Sequence, residues 1–190
     1  VLKSRLVFLA VFVGVLWAVQ VLNWLTNESL NLAFGLAPRQ ISGLDGILAM
    51  PFLHGSFAHL AANTLPLILL GGLLAATATR ALFAVNGVII LGGGALVWML
   101  GSSGIHIGAS GLVFGWFGFL LARGVVDRSP IPLAAALLVG VVYGSLVWGV
   151  LPGQPGVSWE AHLFGALAGV LAALAIRTSV HAPRLHDVDR

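Results

Sequence analysis

Long runs without charged residues constrain this chain more than any other feature. No Asp, Glu, Lys or Arg occurs in five segments, which are residues 6–27, 46–79, 81–122, 129–159 and 161–176. Charged residues make up 8% of the chain and hydrophobic residues 59%, whereas a soluble domain carries about a quarter charged residues. Because such segments cannot form a water-facing surface, the sequence predicts an integral membrane protein.

Six segments approach the roughly 20 apolar residues that a helix needs to cross the hydrocarbon core. They are residues 5–25, 57–79, 81–101, 108–123, 132–151 and 158–177. The first is longer than the apolar region of a signal peptide and no cleavage site follows it, so we interpret it as a retained span. The predicted fold is an all-α membrane protein, a six-transmembrane-helix bundle over residues 1–178, with a mobile cytoplasmic tail at 179–190.

Basic residues set the predicted orientation. Eight of the nine Lys and Arg fall on the side that both termini share, and only Arg39 falls on the other. This distribution predicts cytoplasmic termini and an outward-facing first loop, and we expect a bacterial plasma membrane. The first loop, residues 26–56, is apolar enough to form short elements in the interface. The scattered charges exclude nucleic-acid binding, and the absence of Cys excludes thiolate metal sites and a cysteine nucleophile.

The fourth segment is predicted to be short and recessed. Residues 108–123 would form a helix of about 24 Å, less than a hydrocarbon core of about 30 Å. With Arg123 at the cytoplasmic surface, the helix would begin below the outer surface, after irregular backbone. Ser110 would then lie in the first turn, where free N–H groups and the helix dipole favour a developing anion.

Glycines predict close packing between the fourth and sixth helices. Their spacing places small residues on one face of each helix, which lets two backbones approach in a membrane. They are Gly111, Gly115 and Gly118 on the fourth helix and Gly165 and Gly169 on the sixth. This contact would bring Ser110 near His162.

Four polar side chains are predicted at one outward-facing depth, namely His59, Asn63, Ser110 and His162. A serine becomes a nucleophile when a base lies within hydrogen-bond reach, and we expect no Asp or Glu inside the membrane to complete a triad. We therefore expect a Ser–His dyad, with His59, Asn63 and the Ser110 backbone N–H as oxyanion donors, and no metal or cofactor. Taken singly, the serine could be a packing residue, and the His and Asn could bond between helices.

Three segments together resemble the rhomboid intramembrane serine proteases. They are His-Gly-Ser-Phe-Ala-His-Leu-Ala-Ala-Asn at 54–63, Gly-Ala-Ser-Gly at 108–111 and Ala-His-Leu-Phe-Gly-Ala-Leu-Ala-Gly at 161–169. The resemblance implies that Ser110 is the nucleophile and His162 the general base, while His59 and Asn63 help to form the oxyanion hole. The supporting residues that it implies are Gly108, Gly111, Phe114, Gly165, Gly169 and His54.

The chain departs from the family pattern at two places. The first loop carries Ala37-Pro38-Arg39, where family members often have Trp-Arg. Phe114 stands where a Tyr often packs against the catalytic His, and its ring can still stack on His162. His106, just before the Gly-Ala-Ser-Gly motif, is interpreted as a solvated loop residue rather than a catalytic one.

These patterns favour a serine endopeptidase that cuts membrane-anchored proteins within or next to a transmembrane helix. The alternative is a catalytically silent, rhomboid-like binder of transmembrane helices, although such relatives lack the Ser or the His. Other intramembrane proteases are excluded, because the spans contain no Asp pair and the chain has no His-Glu-x-x-His motif. A transporter would require polar residues along the whole membrane path or internal repeats.

Overall fold

The computed structural model describes residues 2–78, 81–153 and 156–176. In these ranges the chain forms eight helices and a single isolated β-bridge, between Leu36 and His106. The helices are α1 (Leu2–Leu25), α2 (Ser29–Phe34), α3 (Gly46–Ala49), α4 (Phe57–Thr77), α5 (Leu82–Leu100), α6 (Ser110–Asp127), α7 (Pro130–Tyr143) and α8 (Trp159–Ala175). The predicted tail at 179–190 and the predicted turn at Arg80 lie outside the described residues.

Four of these helices are long and apolar enough to cross a membrane by length and composition, namely α1, α4, α5 and α6. Helices α7 and α8 are apolar but shorter. A 3₁₀ segment, Gly144–Val150, continues α7, and a π-helical stretch, Val88–Gly93, forms the middle of α5. The predicted all-helical class is confirmed for the described residues, and the number of six spans stays a prediction.

The helix of the predicted fourth span does not end at Arg123. Helix α6 begins at Ser110 and continues for one further turn to Asp127, so it is about 27 Å long. Arg123 is only 5% exposed, because the protein itself satisfies its guanidinium. Its Nε donates to Asp127 at 2.8 Å, and its Nη1 donates to the carbonyls of Ala173 and Ile176 at 2.9 and 3.1 Å.

The first loop contains the short elements expected from its apolar composition. These are α2, α3 and two 3₁₀ turns, Ile41–Gly43 and Met50–Phe52. Arg39 has a left-handed backbone, with φ of 60°, and its Nη1 donates to the Gly101 carbonyl at 2.7 Å. Arg39 therefore links this loop to the segment that precedes α6.

Helices α6 and α8 are in backbone contact, as their glycine faces predict. A Cβ added to Gly165 would overlap the Gly111 carbonyl, and one added to Gly169 would overlap the Gly115 carbonyl. On the opposite helix, a Cβ at Gly118 would lie 2.5 Å from the Ala166 carbonyl oxygen. Only glycine permits this approach, and it places the start of α6 beside the start of α8.

We predict that Gly169→Ala destabilises the protein, because its new methyl group must push α6 and α8 apart. Overpacking of this kind costs about 1–3 kcal/mol, so the thermal unfolding midpoint in detergent should fall. The matched control is Gly72→Ala in α4, where nothing lies within 4 Å of the added Cβ and alanine is the better helix former. Equal midpoints for the two variants would contradict the close packing.

Candidate active site

A cavity of about 240 Å³ opens where α4, α6 and α8 meet. Its lining includes the four polar side chains singled out from the sequence, which are His59, Asn63, Ser110 and His162. Two of them come from α4, one from the first turn of α6 and one from the first turns of α8. The structure therefore brings together residues that lie up to about a hundred positions apart in the chain.

Ser110 is the first residue of α6. The residue before it, Ala109, donates its N–H to His54 Nε2 at 3.3 Å. Its carbonyl accepts from Leu112 and Val113, both at 3.0 Å. By helix geometry the N–H groups of Ser110 and Gly111 have no partner within the helix. Negative charge that develops beside Ser110 Oγ would thus meet free donors and the positive end of the helix dipole.

Gly108 has φ of 122°, a left-handed conformation that favours glycine. Its N–H donates to the Met50 carbonyl at 2.9 Å. A Cβ at this position would lie 3.1 Å from His59 Nε2 and 3.6 Å from Ser110 Oγ. The missing side chain therefore leaves open the space between these two groups, where the oxygen of a tetrahedral intermediate could be received.

His162 has its ring fixed from two sides. Its Nδ1 lies 2.8 Å from the Gly149 carbonyl oxygen, and because a carbonyl only accepts, Nδ1 carries the proton. In the neutral ring Nε2 is then free to accept a proton, as a general base requires. The Phe114 ring stacks on the imidazole with centroids 4.1 Å apart and planes at 5°. No sequence signal could have identified Gly149, because every residue has a carbonyl.

His59 and Asn63 project from one face of α4, where Ser56 caps the helix by accepting from the His59 N–H at 3.0 Å. Asn63 Nδ2 donates to the His59 carbonyl at 3.0 Å, and its side chain lines the cavity. Within the described residues, no hydrogen bond joins Ser110 Oγ to His162. Catalytic hydrogen bonds are often long in free enzymes and shorten when substrate binds.

His54, for which the sequence supplied no specific role, is fully buried behind the cavity. Its carbonyl accepts from Asn23 Nδ2 at 3.3 Å and Asn31 Nδ2 at 3.1 Å, two asparagines that the sequence analysis did not single out. Burial, together with the neighbouring His59, lowers the pKa of His54 to about 4. His54 is therefore neutral, and its Nε2 supports the backbone directly before Ser110 as an acceptor.

The prediction that His106 is solvated was wrong. Its side chain is 5% exposed, because the segment that carries it is covered by the first loop on one side and by α8 on the other. His106 Nδ1 lies 2.5 Å from Ser158 Oγ, and Nε2 lies 3.1 Å from the Ser102 carbonyl oxygen. His106 does not line the cavity.

Comparison with known proteins gives one family and several relatives. The Rhomboid domain family matches residues 38–179. The uncharacterized protein Rv1337 of Mycobacterium tuberculosis is 39% identical over 171 residues, which cover 85% of this chain and 71% of that protein. The uncharacterized protein ML1171 of Mycobacterium leprae is 37% identical over 171 residues, which cover 85% of this chain and 67% of that protein. The family match includes all four polar residues of the cavity.

We predict that acid destabilises the protein partly through His54. Between about pH 6.5 and pH 4 the unfolded chain binds a proton at this position and the folded chain does not, so stability falls as the pH decreases. The full loss is about 3 kcal/mol. His54→Gln keeps an acceptor for the Ala109 N–H but does not titrate, so its unfolding midpoint in detergent should change less between neutral and acidic buffer. An unchanged pH dependence would contradict the assignment.

Proposed function

The chain belongs to the rhomboid family of integral membrane proteins, and on that premise we propose that it is an intramembrane serine endopeptidase with a Ser110–His162 dyad. The family acts on transmembrane substrates in the bilayer. The observation that supports the proposal is that Ser110, His162, His59 and Asn63 line the same cavity. A packing serine or a bridging histidine would not require the other three residues to line the same space.

In the proposed mechanism Ser110 Oγ attacks the carbonyl of the scissile bond while His162 Nε2 accepts its proton. The imidazolium that forms keeps its Nδ1–H on the Gly149 carbonyl. The oxyanion is stabilised by the Ser110 backbone N–H, His59 and Asn63. His162 then donates the proton to the leaving amine, and a water molecule, deprotonated by the same Nε2, hydrolyses the acyl-enzyme.

The dyad works without a carboxylate because neutral groups orient the base. In a triad an acidic side chain selects the histidine tautomer and stabilises the imidazolium. Here the Gly149 carbonyl selects the tautomer, and the Phe114 ring fixes the plane of His162. An uncharged arrangement avoids burying a carboxylate in a medium of low dielectric constant, where its desolvation is costly.

We propose a six-span arrangement in which α7 and α8 cross the membrane together with the four longer helices. Helix α7 and its 3₁₀ continuation rise about 35 Å together, and α8 rises about 25 Å. Both termini would face the cytoplasm of a bacterial cell, and the cavity would open to the outer side. The first turn of α6 would then lie below the outer surface, as expected from the sequence.

The substrates we propose are membrane proteins whose helix unwinds near the outer surface. Carbonyls within a helix are occupied by backbone hydrogen bonds and shielded by side chains, so Ser110 cannot reach them. Helix-destabilising residues close to the cleavage site would expose the bond. No metal or cofactor takes part in the proposed mechanism.

We predict that Ser110→Ala and His162→Ala each reduce cleavage of a generic transmembrane substrate in liposomes by about a thousandfold or more, since removal of either dyad member abolishes nucleophilic attack. The matched control is Ser103→Ala, since Ser103 is an exposed serine in the segment before α6. This variant should cleave the substrate at the wild-type rate. Cleavage by Ser110→Ala at the wild-type rate would exclude the dyad. A wild-type protein that binds helices but neither cuts nor reacts with a fluorophosphonate would be the silent binder.

We predict a smaller loss for the oxyanion donors. His59→Ala and Asn63→Ala should each lower kcat by roughly a hundredfold, since one donor to the oxyanion contributes about 10²–10³ in rate, with KM close to that of the wild type. Steady-state cleavage in liposomes measures both constants. A change confined to KM would assign these side chains to substrate binding instead.

A further inference from the structure

A polar contact outside the proposed catalytic groups joins the two segments that carry the dyad. His106 lies four residues before Ser110, and Ser158 lies four residues before His162. His106 Nδ1 and Ser158 Oγ are 2.5 Å apart. The His162 N–H also bonds to the Ser158 carbonyl at 3.3 Å. Because Ser158 lies one helical turn before His162, a shift of Ser158 would also move the proposed base.

The hydrogen positions in this contact follow from its partners. His106 Nε2 lies 3.1 Å from the Ser102 carbonyl oxygen, which can only accept, so Nε2 carries a proton. In the neutral ring Nδ1 is then the acceptor. The Ser158 hydroxyl thus donates to Nδ1. The same oxygen accepts from the Ala161 N–H at 3.3 Å and caps α8. The Ser158 hydroxyl therefore caps the N-terminus of α8 and links it by a hydrogen bond to the segment that precedes α6.

Two further contacts hold this segment in place. Glu160 is 4% exposed, and its Oε1 accepts from the Ser102 N–H at 3.1 Å. On the other side the backbone of His106 pairs with Leu36 through bonds of 3.0 and 2.8 Å. The segment 101–109 is therefore fixed to the first loop and to α8 at once. It is the part of the chain that sets where α6 begins.

Polar contacts join α6 and α8 at both ends of their glycine faces. Gly165 and Gly169 allow α8 to approach α6. At the far end Arg123 donates to the carbonyls of Ala173 in α8 and of Ile176 directly after it. Near the cavity the corresponding polar connection runs through Ser158, His106 and Glu160.

We propose that His106 and Ser158 are positioning residues for the dyad: their hydrogen bond sets the location of His162 relative to Ser110. This inference rests on the proposed function. Ser110 Oγ and His162 share the cavity without a direct hydrogen bond, so their separation depends on where the two helices start. A misplacement of about 1 Å can reduce a rate by about a hundredfold. Loss of the hydrogen bond between His106 and Ser158 should therefore lower the rate of cleavage.

The test compares four single variants and one double variant in the liposome cleavage assay. Ser158→Ala removes the hydroxyl and His106→Leu removes its acceptor, so each should lower kcat at least tenfold while KM changes less than twofold. Ser158→Thr keeps the hydroxyl, and His106→Asn keeps an acceptor near the position of Nδ1, so both should recover most of the rate. In the double variant Ser158→Ala/His106→Leu the loss should equal that of one single variant, since both remove the same bond.

A control separates positioning from stability. Asp127→Asn weakens the contacts of Arg123 at the other end of the same helix pair. It should lower the unfolding midpoint and leave kcat unchanged at temperatures where the protein is folded. Positioning is overturned if Ser158→Ala behaves like Asp127→Asn, with a lower midpoint and the wild-type kcat. Failure of the proposed function would look different, because the wild type itself would then show no Ser110-dependent cleavage.

Discussion

The backbone contact between α6 and α8 is the constraint on which the rest of the structure depends. Ser110 and His162 lie in the first turns of two helices that are separated by the whole of α7 and its 3₁₀ continuation. They share a cavity only because glycines let the carbonyls of Gly111 and Gly115 approach α8 without a side chain between them. In a bilayer, where lipid tails are as apolar as leucine, such close packing supplies the attraction that water supplies in a soluble core.

Histidine chemistry in this protein is organised by groups that carry no charge. His162 donates to a carbonyl, His54 accepts from a backbone N–H, and His106 accepts from a hydroxyl while it donates to a second carbonyl. In each case the partner determines which ring nitrogen holds the proton. Three histidine rings can therefore have different roles within one small region, although their side chains are identical.

The residues of the candidate site could be predicted because polar side chains are rare in apolar spans. His59, Asn63, Ser110 and His162 stand out against their neighbours, and glycine spacing showed which helices would pack. The bound given to the fourth helix and the solvated state given to His106 both assumed that water satisfies polar groups. Arg123 is satisfied by Asp127 and by carbonyls of α8, so α6 continues past it. His106 is satisfied by Ser158 and Ser102, so it is buried. Such pairings depend on tertiary contacts that a single sequence does not display.

The bond between His162 and Gly149 has a consequence for how this protein would respond to mutational scanning. The group that accepts the hydrogen bond of His162, the proposed base, is a main-chain oxygen, so no codon change can delete it. A scan of side chains would detect the proposed nucleophile and base but no side chain that accepts from His162 Nδ1. Larger residues at position 149 would still lower activity, because a Cβ there would lie 2.7 Å from the Phe114 ring and 3.3 Å from His162 Nδ1. The cause of that loss would be steric crowding of His162. Removing the acceptor itself would require an altered backbone, such as an ester in place of the following amide, which weakens the carbonyl without changing any side chain.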